Sequence, residues 1–150
     1  FIGNTVSVNT APDNAAVGLD LDGTSSVLVA NNILWNNDGI DLDLSPSTGD
    51  IFYWHNNVAD YSGPNIGVNN LSVDPQFMPA LGAFELTPAS PLIDMGIEPP
   101  DTVPIPTPFE DNWWLGVTDL GGNDRVQGLT IDIGAFEVLD GFFASSFGDN

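Results

Sequence analysis

Aliphatic and polar side chains take turns along the first half of the chain. Leu19, Leu21, Ile40 and Leu42 are each followed by an aspartate, and Val, Ile, Thr and Phe elsewhere alternate with Asp, Asn and Ser. A period of two belongs to β-strands with one buried face. The 16 glycines and 12 prolines interrupt this alternation at short intervals, so the strands it predicts are brief. No stretch carries the 3.6-residue apolar period of an amphipathic helix.

The strands repeat. GLDLD at Gly18 to Asp22 and GIDLD at Gly39 to Asp43 lie 21 residues apart, and Asn4-Thr5-Val6, Asn31-Asn32-Ile33 and Asn56-Asn57-Val58 recur at spacings of 27 and 25. Repeats of that length predict a solenoid whose turns stack. The order of corner and strand is the same in each repeat, which favours parallel stacking, because hairpins would reverse it on alternate strands.

Three turns are expected within residues 1–73. The first holds strands at Phe1 to Val8 and Val17 to Asp22. The second runs through Val27 to Trp35, a corner at Asn36 to Gly39, and Ile40 to Leu44. The third runs through Ile51 to Ala59, a corner at Tyr61 to Pro64, and Ile66 to Leu71, with Gly67 to Leu71 aligned on GIDLD. Leu19, Leu21, Ile40, Leu42 and Val68 then share the inside, and Asp20, Asp22, Asp41 and Asp43 point outward. The predicted fold is all-β, a parallel β-helix of about three turns. Residues 74–150, punctuated by proline and holding further alternation at 113–137, form an irregular capping segment against the coil, the whole being one structural domain.

Composition narrows the partners. The 150 residues carry 21 acids against one basic side chain, Arg125, for a formal net charge of −20. Nucleic acid and anionic lipid surfaces are poor partners for such a chain. No apolar run approaches the ~20 residues of a membrane span. Cysteine is absent, which removes disulfides and thiolate metal sites.

Candidate chemistry lies first in the aspartates. If the strings stack by their letters, Asp20 lies over Asp41 and Asp22 over Asp43, about 4.8 Å apart. Such pairs repel by roughly 0.9 kcal/mol in water and several times that at lower dielectric. A solvated acidic face tolerates this, whereas an enclosed row would take a cation, and calcium suits carboxylate and carbonyl oxygens. Arg125 is expected in a bidentate ion pair with Asp94, Asp132 or Glu137, clamping the last segment to the coil; a catalytic arginine is the sharper alternative. His55, the single histidine, reads as an exterior polar residue, with general base or metal ligand as the sharper readings. The asparagines at 4, 31 and 56 suit tight corners with amides bonded from turn to turn. Trp35 and Trp54 flank those corners; Trp113 and Trp114 are candidate glycan contacts if exposed and coil closures if buried.

Three motifs occur in one order: SVDPQF at Ser72 to Phe77, FELTPASPLIDMG at Phe84 to Gly96, and TDLGGNDRVQG followed by IDIGAFE at Thr118 to Gly128 and Ile131 to Glu137. In this the chain resembles the C-terminal region of bacterial secreted right-handed parallel β-helix proteins of the pectate-lyase-like superfamily, those with a choice-of-anchor Q type ending. The resemblance implies a right-handed coil, export, and presentation at or beyond the cell surface. It implies no single activity, since that superfamily includes lyases, hydrolases, adhesins and passive stalks. Its lyases abstract a sugar proton with arginine or lysine while calcium holds the uronate; this chain lacks lysine, and Arg125 sits in the C-terminal signature. Asn37 to Asp41 is similar to one motif of the pectin hydrolases, but the elements that accompany it there are missing.

The expectation is a non-catalytic secreted or surface module with a structural, adhesive or filament-forming role. An acidic polysaccharide hydrolase or lyase and a carbohydrate-binding module are the alternatives. The first turn, whose backbone edge nothing in the sequence caps, is expected to pair with upstream turns or with another copy end to end.

Overall fold

A computed structural model describes residues 1–10, 18–20, 23–45, 48–64, 67–79, 84–98, 107, 109 and 116–139. Within them the chain is all-β and has no helix. Its strands are β1 (Thr5–Ser7), β2 (Leu19–Asp20), β3 (Val27–Ala30), β4 (Ile33–Trp35), β5 (Leu42–Asp43), β6 (Ile51–Trp54), β7 (Asn57–Val58) and β8 (Tyr61–Ser62). None is longer than four residues, as the spacing of Gly and Pro requires.

Every pairing between these strands is parallel. They form three sheets, β1-β4-β7, β2-β5-β8 and β3-β6, which the chain visits in the same order on each pass. Bridges of Ile2 with Ala30 and of Trp54 with Val68 extend the β3-β6 sheet at both edges, and Asn57 with Leu71 extends β1-β4-β7. Parallel strands cannot be joined by a tight hairpin and need a crossover, so successive passes lie one above another. The arrangement is compatible with a parallel β-helix.

Alternation decides the faces. Val27, Val29, Ile51 and Tyr53 from one sheet, Val6, Leu34 and Val58 from the second, and Leu19, Leu42 and Tyr61 from the third meet in one apolar cluster. The intervening residues face the other way. Leu28, Ala30, Phe52 and Trp54 pack with Ile97 and Phe109, while Ile33 and Trp35 pack with Leu86, Leu92 and Ile133. The outer faces of two sheets are thus covered by the later part of the chain. On the third sheet the outer positions are Asp20, Asp43 and Ser62, in register with one another.

Two alignments read from the letters are corrected. Asp20 pairs with Asp43, not Asp41, and Leu19 with Leu42, not Ile40. The glycines explain the shift. Gly18 faces the Asp41 carbonyl so closely that a Cβ there would lie 2.5 Å from it, whereas Gly39 turns a corner at φ 94°. Equivalent letters therefore do different work. Likewise Val68 belongs beside Trp54 and is exposed, so Gly67 to Leu71 does not continue the aspartate strands. Leu21 lies outside the described residues.

Candidate functional site

Asparagine builds the corner between the β3-β6 and β1-β4-β7 sheets. On each pass a residue in left-handed backbone geometry precedes it: Gly3 (φ 65°), Asn31 (57°), His55 (50°) and Asn69 (53°). The next residue is Asn4, Asn32, Asn56 or Asn70. The backbone N–H and Nδ2 of Asn4 donate to Oδ1 of Asn32 (2.9 and 3.1 Å), those of Asn32 to Oδ1 of Asn56 (3.0 and 2.8 Å), and those of Asn56 to Oδ1 of Asn70 (2.8 and 3.0 Å). The rungs are 28, 24 and 14 residues apart, so the passes shorten toward the last. Asn32 and Asn56 are fully buried, and a bonded ladder lets amides sit there without unmet donors.

Sequence reasoning chose Asn31 for this ladder, and its neighbour Asn32 holds the place. Asn31 turns outward instead and grips the covering segment, donating from Nδ2 to Ile97 O and accepting from Ile97 N, both at 2.8 Å. Asn57 grips Val73 in the same two-bond fashion at 3.0 Å. Asn70 and the second column below were missed. For Asn70 the signal was a pair, a residue tolerant of positive φ followed by Asn; the second column carries that pair at Asn36-Asn37 but not at Asn9, which follows the β-branched Val8.

That second column starts after Val8 and Asn36, again with φ near 52° and 59°. Asn9 donates from N and Nδ2 to Asn37 Oδ1 (3.1 and 2.8 Å), and Asn37 does the same to Asp41 Oδ1 (3.0 and 2.6 Å). Asp41 Oδ2 accepts the Asp60 amide at 3.0 Å. The outward position expected for Asp41 is therefore corrected: it is fully buried, and its charge is met by backbone and amide donors. Asp20 is exposed, and Asp43 is partly exposed, its carboxyl held below the usual range by the Ser45 hydroxyl and amide. Asp22, Trp113 and Trp114 lie outside the described residues.

The later segment holds a knot of acids around Arg125. Asp119, Asp132 and Glu137 are buried with the arginine. Asp119 accepts the amides of Asn123 (2.7 Å) and Glu137 (2.8 Å); Asp132 accepts those of Asp94 and Val138 (both 2.8 Å); Glu137 Oε2 accepts that of Asp132 (3.0 Å). Asp94 Oδ1 takes Leu129 N and Thr130 N at 2.7 and 3.1 Å. Of the three acids expected beside Arg125, Glu137 lies within ion-pair distance, Nη1 to Oε1 at 3.6 Å, a monodentate approach in place of the bidentate one. Nη1 also reaches Ala135 O and Nη2 reaches Gly3 O, each at 3.4 Å, so the guanidinium joins the last segment to the first pass of the coil 122 residues earlier.

Burial pushes the Glu137 carboxyl up to about 8, with Asp132 and Asp119 adding to the rise and the Asp132 amide and Arg125 opposing it. Below that pH the guanidinium faces a largely neutral acid. Asp119 behaves oppositely. Burial raises it, but the amides of Glu137, Asn123 and Gly121 and the Asn123 side chain outweigh burial and hold it below the usual carboxylate range. The knot is a fastening in which Asp119, Asp132 and Glu137 Oε2 accept backbone N–H bonds, while Glu137 Oε1 faces the guanidinium and accepts no hydrogen bond among the described residues.

His55 fills the left-handed position of its pass. Its Nδ1 lies 2.8 Å from Met95 O, which requires an Nδ1–H donor, and Nε2 lies 3.2 Å from Asn69 Nδ2, which donates to it. Trp35 and Trp54 are partly buried against the covering segment. Two cavities flank the knot. One of about 360 Å³ lies against Gly3, Asn4, Thr5, Leu120 and Arg125, and one of about 510 Å³ lies among Met78, Leu86, Phe136, Val138 and Leu139. No group of three or more candidate ligands for a metal occurs among the described residues, and no helix there is long and apolar enough to cross a membrane. Comparison with protein-family models, with curated proteins and with solved structures finds no match to this chain.

Proposed function

We propose that the chain is a non-catalytic module of a right-handed parallel β-helix, exported from a bacterial cell and serving a structural, adhesive or matrix-forming role. Support for a closed coil comes from the fixed order in which the chain visits three parallel sheets and from the apolar cluster to which all three contribute. Right-handedness follows from the strong bias of parallel crossovers. Export and surface display rest on the resemblance of Ser72 to Phe77, Phe84 to Gly96 and Thr118 to Glu137 to secreted β-helix endings.

One observation carries the non-catalytic reading. The buried carboxylates Asp41, Asp119, Asp132 and Glu137, the groups whose environment would suit acid–base work, all accept backbone N–H bonds. A general acid or base must reach a substrate proton. Asp41, Asp119, Asp132 and Glu137 Oε2 hold corners and crossings, and Glu137 Oε1 lies buried beside the Arg125 guanidinium.

Incubating the chain with acidic and neutral polysaccharides, with and without calcium, is expected to leave the glycans uncut. Release of unsaturated or reducing ends would overturn the reading. A glycan-binding role is the second reading, favoured by the uncovered outer row of Asp20, Asp43 and Ser62. Retention on a polysaccharide column with unchanged ligand would distinguish it.

A further inference from the structure

The corner that follows β4 is tied at both ends and untied between them. Asn37 is buried, and its N–H and Nδ2 donate to Asp41 Oδ1 at 3.0 and 2.6 Å. Asp41 is held by the passes on either side, its N–H donating to Asp60 O at 2.9 Å and its carbonyl accepting Leu19 N at 3.0 Å. Between these anchors Asp38 donates its N–H to Asn9 O at 2.9 Å. Among the described residues its carboxyl accepts no hydrogen bond, and the Gly39 N–H donates none. Gly39 is exposed, with φ 94°, and Asp38 is partly exposed.

An aspartyl carboxyl can close a five-membered ring on the N–H of the residue that follows. A side chain on that next residue crowds the attack, and glycine has none. Every other described aspartate precedes a residue that carries a side chain, and no asparagine precedes glycine. Buried Asp41 is doubly protected, since its carboxyl is bound by Asn37 and the Asp60 amide and the Leu42 N–H donates to Asp60 O.

We propose that Asp38-Gly39 is a modification site, at which the backbone isomerises spontaneously from an aspartyl to an isoaspartyl linkage. The Gly39 nitrogen attacks Asp38 Cγ and forms a C–N bond. The amide proton and the carboxyl hydroxyl leave as water, and a succinimide results. Water then adds to one of the two ring carbonyls, and the C–N bond beside it breaks. Addition at Cγ returns aspartate, whereas addition at the main-chain carbonyl leaves the chain running through Cβ and Cγ with a free carboxylate on Cα. Mass and formal charge are restored, and water is the one co-reactant.

The product carries one more main-chain atom between Asn37 and Gly39. The bonds from Asn37 to Asp41 span four residues, so the added atom pulls on them directly. Through Asp41 it also pulls on the Asp60 amide of the next pass. Ageing therefore loosens the second column, while the column from Asn4 to Asn70, at another corner, stays bonded. Neither step depends on the function proposed above.

Incubating the full chain in neutral buffer, then methylating isoaspartyl carboxyls enzymatically and mapping the peptides, tests the site. Mapping separates Asp38 from Asp22 and Asp140, the other aspartates that precede glycine. Label at Asp38 is expected to rise with time, to be preceded by a species lighter by one water, and to approach the extent reached in urea. Asp38→Asn, which loses ammonia in place of water, is expected to label faster, and Asp38→Glu, whose ring needs one more atom, to lose the label. Neither substitution removes a side-chain hydrogen bond found among the described residues, so both are expected to melt with the wild type. Hydrogen exchange of the aged chain is expected to show a fast fraction at the Asn37 and Asp60 amides equal to the labelled fraction, with Val29 and Tyr53 unchanged. Absence of label at Asp38 in native buffer, label that persists in Asp38→Glu, or exchange at Asn37 and Asp60 unmoved in a labelled chain would overturn the inference.

Discussion

The rung asparagines do at single positions what a strand does over several: they pair the backbone of one pass with the next while meeting their own polar groups. Position within the ladder then sets the cost of removal. Asn56→Ala leaves the buried Asn32 N–H and Nδ2–H without their acceptor, at ~1–3 kcal/mol for each unmet group. Urea denaturation is expected to show a loss of roughly 3 kcal/mol or more for it, against about 1 kcal/mol for Asn4→Ala, whose Oδ1 accepts no hydrogen bond among the described residues. Equal losses would show that the ladder is not the source. Glu137 supplies a pH signature. Its folded value of about 8 stands above the ordinary 4.5, so between those limits the folded chain holds a proton that the unfolded chain has released. Stability from this group is full below about 4.5 and falls as pH rises toward 8. Asp119, held low, acts the other way and loses its contribution as pH drops through its depressed range. Melting temperature followed from pH 5 to 8 is expected to decline, and less steeply in Glu137→Gln; an unchanged slope would refute the assignment. Asn4 and Asn56 were legible as recurring asparagines, whereas Asn70 and the second column were not. Choosing between Asn31 and Asn32 was not, because the φ angle, and not the letter, tells a corner's turning residue from its rung.

At the scale of elements the covering segment matters most, since two of the three sheets bury their outer faces under it. Asn31 is one of its fastenings outside the apolar contacts. Glycine at position 31 keeps the freedom that φ 57° demands and removes only the amide. Asn31→Gly is expected to cost about 2 kcal/mol, two buried bonds to Ile97, and to speed amide exchange at Ile97 while β3 and β6 remain protected. Exchange rising equally across those strands would show that coil and cover unfold as one. Gly134 marks another crossing: at φ 119°, its Cβ would lie 2.8 Å from Ile33 Cδ1, which is why the IDIGAFE motif has no side chain there. The twin strings show where reading elements from letters stops. Both GLDLD and GIDLD supply strands that stack, but loop lengths and the closeness of Gly18 to the Asp41 carbonyl set the register two residues away from the letter alignment.

For the whole molecule, 21 acids against one arginine make self-repulsion a standing cost. Sodium chloride is expected to raise the melting temperature by screening alone. Calcium at matched ionic strength is the useful comparison, since Asp20 and Asp43 are the described members of the acidic row that face outward. A rise equal to that in sodium chloride is expected if the row is merely solvated, and a further rise abolished by chelator and by Asp43→Asn would establish a calcium site.

By itself the sequence determined the kind of structure: short strands from alternation and frequent Gly and Pro, stacking from repetition, an acidic surface from composition. Those properties are local or additive, so they can be read one residue at a time. Tertiary structure alone decided which asparagine becomes a rung, that Asp41 is buried while Asp20 is not, and that Arg125 reaches Gly3 across 122 residues. Each depends on what the neighbouring pass presents. A carboxylate's place follows from the donors it meets, and those donors come from residues far along the chain.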